Sequence, residues 1–187
     1  MKAALITLGV IVVIILIFGM SLVGTRNSLV AEKQAVDAQW SQVDVALQRR
    51  ADLIPNLVET VKGFAKQEQA VFGQIAQARS ALLSARTPQE KIDANAQLSS
   101  ALGRLLVIVE NYPQLRSSEH FHTLMIELEG TENRINVERR KYNEAVQRYN
   151  TDIQLFPKNL AASLFGFGPA PYFKAEEAAK IAPKVQF

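Results

Sequence analysis

The sequence predicts an all-α protein: an N-terminal transmembrane helix, then an elongated antiparallel four-helix bundle, then an irregular aromatic C-terminal tail. Three observations predict it. Residues 3–23, which open on Ala3 and close on Val23, carry no charge and are apolar except for Thr7, Gly9, Gly19 and Ser21. From Leu29 an apolar stripe recurs at alternating steps of four and three residues through Val36, Trp40, Val43, Leu47, Ile54, Leu57, Val61, Phe64, Val71, Ile75, Ala78 and Leu82. Its only charged positions are Lys33, Arg50 and Glu68. A 3.5-residue repeat kept over this many turns is the seam of a bundle or coiled coil. Finally, long amphipathic stretches are separated by short proline-bearing breaks, and short connections make neighbouring helices antiparallel.

The N-terminal segment is long enough to cross a bilayer core, since about twenty helical residues reach about 30 Å. A cleaved signal peptide is the rival, but its apolar core is about 7 to 15 residues and ends on a small-residue cleavage site. Gly19-Met20-Ser21 is a poor version of that site, so the segment reads as an uncleaved anchor. Lys2 lies on one side, Arg26 and Lys33 on the other. The basic-residue rule therefore leans toward a cytoplasmic bundle and an N-terminus outside.

Residues 26–54 continue helically without a breaker. The seam keeps its phase across Pro55, so the proline reads as a kink in one long helix reaching Ala85. Gly63 and Gly73 inside that helix each cost about 1 kcal/mol against alanine, unless close packing offsets it. Thr87-Pro88-Gln89-Glu90 combines a cap, a proline at the first helical position and a capping box. The helix it starts should reach about Glu110 and stop at Asn111-Tyr112-Pro113. Ser117 or Ser118 can cap the last long helix, whose seam reads Phe121, Met125, Leu128, Glu132, Ile135, Arg139, Tyr142, Val146, Tyr149 and Ile153 before Phe156-Pro157.

In the tail, residues 159–165 can form a short helix stopped by Gly166, and residues 175–181 another. Phe165, Phe167, Tyr172, Phe173 and Phe187 are too apolar for a free tail; they are expected to fold back on the bundle end, with a membrane interface or a partner as the alternative. The expected division is anchor 1–25, bundle 26–157 and tail 158–187.

Composition narrows the function. The 187 residues are 48% apolar and 21% charged, which is neither disordered nor multi-span. Without cysteine, disulfides, thiolate nucleophiles and cysteine metal sites are out. The net charge is +3, or +2 without Lys2 of the anchor, with both signs interleaved; nothing pulls the chain toward nucleic acid. His120 and His122, two apart on a helix, fall on roughly opposite sides and chelate poorly. Nucleophile-elbow, Walker, dinucleotide and H-E-x-x-H motifs are absent. No catalytic, cofactor-binding or metal-binding residue is therefore expected, and no cofactor.

Arg50, Glu68, Glu132 and Arg139 interrupt apolar seams, where a lone charge is costly; pairing among them would act as a structural lock. Arg139-Arg140-Lys141 reads as solvated surface. Asn136, Asn143 and Asn150 recur every seven residues, and Tyr142-Asn143 repeats as Tyr149-Asn150. That pattern suggests a polar ladder fixing helix register, with a binding groove as the alternative.

Several stretches together resemble the LemA family of membrane-anchored helical proteins: Trp40-Ser41-Gln42-Val43, Gln48-Arg49-Arg50-Ala51-Asp52-Leu53-Ile54-Pro55-Asn56-Leu57-Val58, Glu110-Asn111-Tyr112-Pro113, Glu132-Asn133-Arg134-Ile135, the two Tyr-Asn pairs and Phe156-Pro157. They cover nearly all of the chain beyond the anchor. One departure is Arg26-Asn27, where the family often has Tyr-Asn. The resemblance implies a single membrane helix with its short end outside, a four-helix bundle and no established catalytic activity. It is similar to proteins suspected to be membrane scaffolds or adaptors, some thought to accompany membrane metalloproteases, with relatives in magnetosome formation.

The expectation is a single-pass, non-enzymatic scaffold or adaptor in the bacterial inner membrane, presenting its bundle to a membrane-protein partner. The rival is a self-assembling homo-oligomer that organises or shapes the bilayer. Expected contacts are the lipid bilayer through Ala3 to Val23 and a membrane protein, with no nucleic acid and no small-molecule substrate.

Overall fold

The computed structural model describes residues 2–174. The helix expected over residues 175–181, and Phe187, lie outside the described residues. Among the described residues six helices occur: α1 (Lys2–Lys62), α2 (Gln69–Ser84), α3 (Pro88–Val109), α4 (Pro113–Arg116), α5 (Glu119–Asp152) and α6 (Lys158–Phe165). Among the described residues there is no strand. The chain divides into two compact units, Met1–Gln39 with Asn143–Ala170, and Trp40–Tyr142 with Pro171–Phe187.

The larger unit is a four-helix arrangement whose directions follow from its contacts. Arg79 of α2 donates to the Ala51 carbonyl of α1, and the Lys62 ammonium sits over the Phe72 ring, so α2 returns antiparallel along α1. Asp44 pairs with Lys91, and Arg50 with Asn95, so α3 runs parallel to α1. Arg50 also meets Glu132, and Trp40 packs edge-on against Tyr142 at 5.2 Å, so α5 is antiparallel to α1. This up-down-up-down order is what short connections impose.

The helix expected to reach Ala85 ends instead at Lys62, and the chain reverses over residues 63–68. Amides of Phe64 and Ala65 both donate to the Val61 carbonyl, at 3.0 and 2.9 Å, and close the turn. The seam was read as continuous through Phe64 and Val71, but Ala65 and Phe72 are the buried residues there while Phe64 is 43% exposed. The burial shifts by one residue only around the turn; Ile75, Ala78 and Leu82 are buried on the expected phase. Pro55 is as expected inside the helix, on its exposed side. Gly73 has nothing within 4 Å of where a Cβ would stand, so close packing does not explain it. Helix α3 begins on the expected capping box: Thr87 Oγ1 accepts from the Glu90 amide and the Glu90 carboxylate accepts from the Thr87 amide, both at 3.2 Å. Backbone donors from Arg86 and Thr87 hold the Glu90 carboxyl below its ordinary pKa. The connection after α3 contains one unexpected turn, α4, whose Leu115 is fully buried.

In the smaller unit, α6 lies along α1 in the opposite direction. Its start is fixed by the Lys158 ammonium, which reaches the carboxylates of Glu32 (2.7 Å) and Asp152. Its end is marked by Phe165, whose ring centroid is 5.6 Å from the Arg26 guanidinium carbon. Between them Ala161 and Ala162 bury against Leu29, flanked by Leu22, Ile153 and Phe167. Alanines at this contact let two helix backbones approach closely. Gly166, at φ +73°, takes the left-handed conformation that ends α6, and the Phe167 amide closes the cap on the Ala162 carbonyl at 2.9 Å.

The first turns of α1 are unlike everything else. From Leu8 to Phe18 every large apolar side chain is between 47% and 62% exposed, all round the helix. A helix that is hydrophobic on every side and uncovered by protein is suited to lipid rather than water.

Candidate docking groove

Two helices of the larger unit frame a concavity of about 940 Å³. The α3 wall carries a row of small residues, Ala96, Ser99 and Gly103, between Ile92, Leu102 and Leu106. Spacings of three and four place this row on one helix face. A Cβ on Gly103 would meet nothing within 4 Å, so the row leaves room. The opposite wall is α5, with His122, Met125, Ile126, Glu129, Glu132, Asn136 and Arg139. Ile126 and Leu106 remain 57% and 41% exposed. From Gln89 to Leu106 the α3 wall runs about 25 Å at 1.5 Å per residue.

The floor is polar at one place. Arg50, 7% exposed, donates to Asn95 Oδ1 at 2.8 Å and lies 3.0 Å from Glu132 Oε2. The ion pair has short distance but poor angle: Glu132 Oε2 is buried with no hydrogen bond aimed at it. Two of the seam charges are thus brought together as the sequence suggested. The other two go elsewhere, Glu68 to the residue before α2 and Arg139 over the Phe173 ring at 5.8 Å.

The tail closes one end of the groove. Tyr142 Oη donates to the Pro171 carbonyl at 2.8 Å, Phe173 is 4% exposed, and Tyr172, Phe173 and Lys174 line the cavity. In the smaller unit, Tyr149 Oη donates to the Gly168 carbonyl at 2.9 Å, and the Asn150 amide both donates to and accepts from the Ala170 backbone at 2.9 and 2.8 Å. Burial, with Asp37 and Glu32 nearby, pushes the Tyr149 hydroxyl above its ordinary pKa, so it stays a donor. The expected helix-register ladder is therefore corrected for these three residues: Tyr142, Tyr149 and Asn150 clasp residues 168–171. They do so because an extended, proline-containing segment presents backbone groups that helices do not. The tail folds back as far as Lys174, although Phe165 and Tyr172 keep 42% and 40% exposure.

His120 and His122 are both exposed, and among the described residues no group of three or more His, Asp or Glu side chains could hold a metal. What the arrangement offers is an apolar trough with one charged, partly unsatisfied spot. The sequence reading missed the trough; its signal was the Ala96, Ser99, Gly103 row.

The LemA family model matches residues 39–187. Among curated proteins, magnetosome protein MamQ 2 of Paramagnetospirillum magneticum is 28% identical, over 81% of this chain and 65% of its own length. MamQ of Magnetospirillum gryphiswaldense is 26% identical over the same shares. Protein LemA of Metamycoplasma hominis is 24% identical over 88% of this chain and 76% of its own. The chain spans about 65% of the length of the MamQ proteins it matches. All-helical architecture, an apolar N-terminal helix and a family match over most of the sequence agree: this is a membrane-associated protein that belongs to the LemA family.

Proposed function

We propose that the protein is a membrane-anchored, non-catalytic scaffold or adaptor, whose groove between α3 and α5 receives a helical segment of a membrane-protein partner. In this reading residues 3–23 cross the bacterial inner membrane once and the helical part lies in the cytoplasm. The groove carries the argument. An apolar trough about 25 Å long suits an amphipathic helix of about four to five turns, held by spaced anchors. The Glu132 side chain, 44% exposed in the groove wall, offers a carboxylate to a basic residue of such a helix.

A photo-crosslinking side chain at Ile126, in the full chain in native membranes, tests this. Adducts with one integral membrane protein, lost in Leu106→Asp while helicity is unchanged, are expected. Adducts of twice the chain's mass would replace the adaptor by the self-assembling rival. Labelling that is indifferent to Leu106→Asp would remove the groove from either account.

A further inference from the structure

We propose that the exposed C-terminal edge of α6, formed by Leu164 and Phe165, lies in the headgroup–acyl boundary of the bilayer that residues 3–23 cross; this rests on the single-pass reading above. Leu164 and Phe165 are 67% and 42% exposed at the end of α6 nearer the spanning segment. Their helix is already fastened by its opposite face, where Ala161 and Ala162 bury on Leu29.

Height along α1 decides what covers the edge. Arg26, over Phe165, is three residues past Val23, or about 4.5 Å at the helical rise. Glu32, bonded to Lys158, is nine residues past, or about 13.5 Å. The polar layer on each side of the hydrocarbon is about 5 to 8 Å deep. The aromatic end of α6 therefore falls within that layer, and its charged end, with Lys158, Glu32 and Asp152, stands beyond it in water. Leu22, inside the spanning segment, packs against the same cluster that holds α6, so the helix is seated at the membrane end of α1. Arg26 stands at the depth of lipid phosphates.

The chain has no cysteine, so single nitroxide labels can report depth. The full chain is reconstituted in phosphatidylethanolamine–phosphatidylglycerol vesicles with Ile14→Cys, Leu164→Cys or Ala35→Cys, the last being exposed on α1 about 18 Å past Val23. Collisions with oxygen are expected to outweigh those with a water-soluble nickel chelate at positions 14 and 164, and the ratio to invert at 35. If position 164 behaves like 35 while 14 stays lipidic, the α6 contact is overturned and the anchor stands. If position 14 itself meets the chelate, the anchor fails and the α6 contact with it. Shielding at 164 accompanied by spin–spin broadening would mean a second copy covers the edge, which also overturns the proposal.

Discussion

Arg50 and Glu132 meet at 3.0 Å across the larger unit, and only one of them is dry: the arginine side chain is 8% exposed and the glutamate 44%. The two partners therefore differ in what their removal costs. Glu132→Ala removes the counter-charge of a nearly buried cation that keeps its bond to Asn95, whereas Arg50→Met keeps the apolar stem and lets the carboxylate turn outward. Glu132→Ala is expected to destabilise by about 3 kcal/mol and Arg50→Met by about 1. At about 2–4 °C per kcal/mol for a chain of this size, thermal unfolding in detergent separates them. Equal losses would contradict the asymmetry.

The clasp on residues 168–171 is a backbone matter. Asn150→Ala deletes two hydrogen bonds to Ala170 and should cost about 2 kcal/mol, while Tyr149→Phe deletes one and should cost about 1. Hydrogen exchange at the Ala170 amide should accelerate far more in the first variant than in the second.

Seating of α6 depends on pH at both ends of the scale. Hydrogen bonds to Asp152 and Glu32 raise Lys158 above its ordinary value of 10.5, so its contribution is complete below that value and is lost as pH rises through the folded one. The Lys158 ammonium lowers Asp152 below 3.8, so that contribution holds above 3.8 and is lost as pH falls through the folded value. A distance measured between labels at Ala35→Cys and Leu164→Cys should stay constant between these limits and broaden outside them. Lys158→Gln should broaden it at neutral pH.

Gly73 sits inside α2 with open space where a methyl group would go. Gly73→Ala is expected to stabilise by about 1 kcal/mol, raising the midpoint of thermal unfolding by about 2–4 °C. A decrease would show that something seats against this position in the membrane.

Much of this molecule was readable one residue at a time. The Thr87 to Glu90 capping box is local, so its chemistry is complete within four residues. The charge-free run of residues 3–23 needs no partner to be recognised, because lipid makes the same demand of every face. Gly166 ends α6 where expected, since the positive φ is a property of that residue. The reversal over residues 63–68 was not readable: a seam period of 3.5 looks the same on one helix as on two, and Ile75, Ala78 and Leu82 keep the phase beyond the turn.

By itself, the amino-acid order determined that the chain is helical, that one end is suited to a bilayer and that cysteine chemistry is excluded, because propensity, hydropathy and composition act locally. Tertiary structure alone decided that Arg50 finds Glu132, that Tyr149 and Asn150 grip the tail and not another helix, and that Ala96, Ser99 and Gly103 open a trough. Those outcomes depend on which faces meet after the chain reverses. Partners 82 residues apart, like Arg50 and Glu132, are brought within 3.0 Å only by packing.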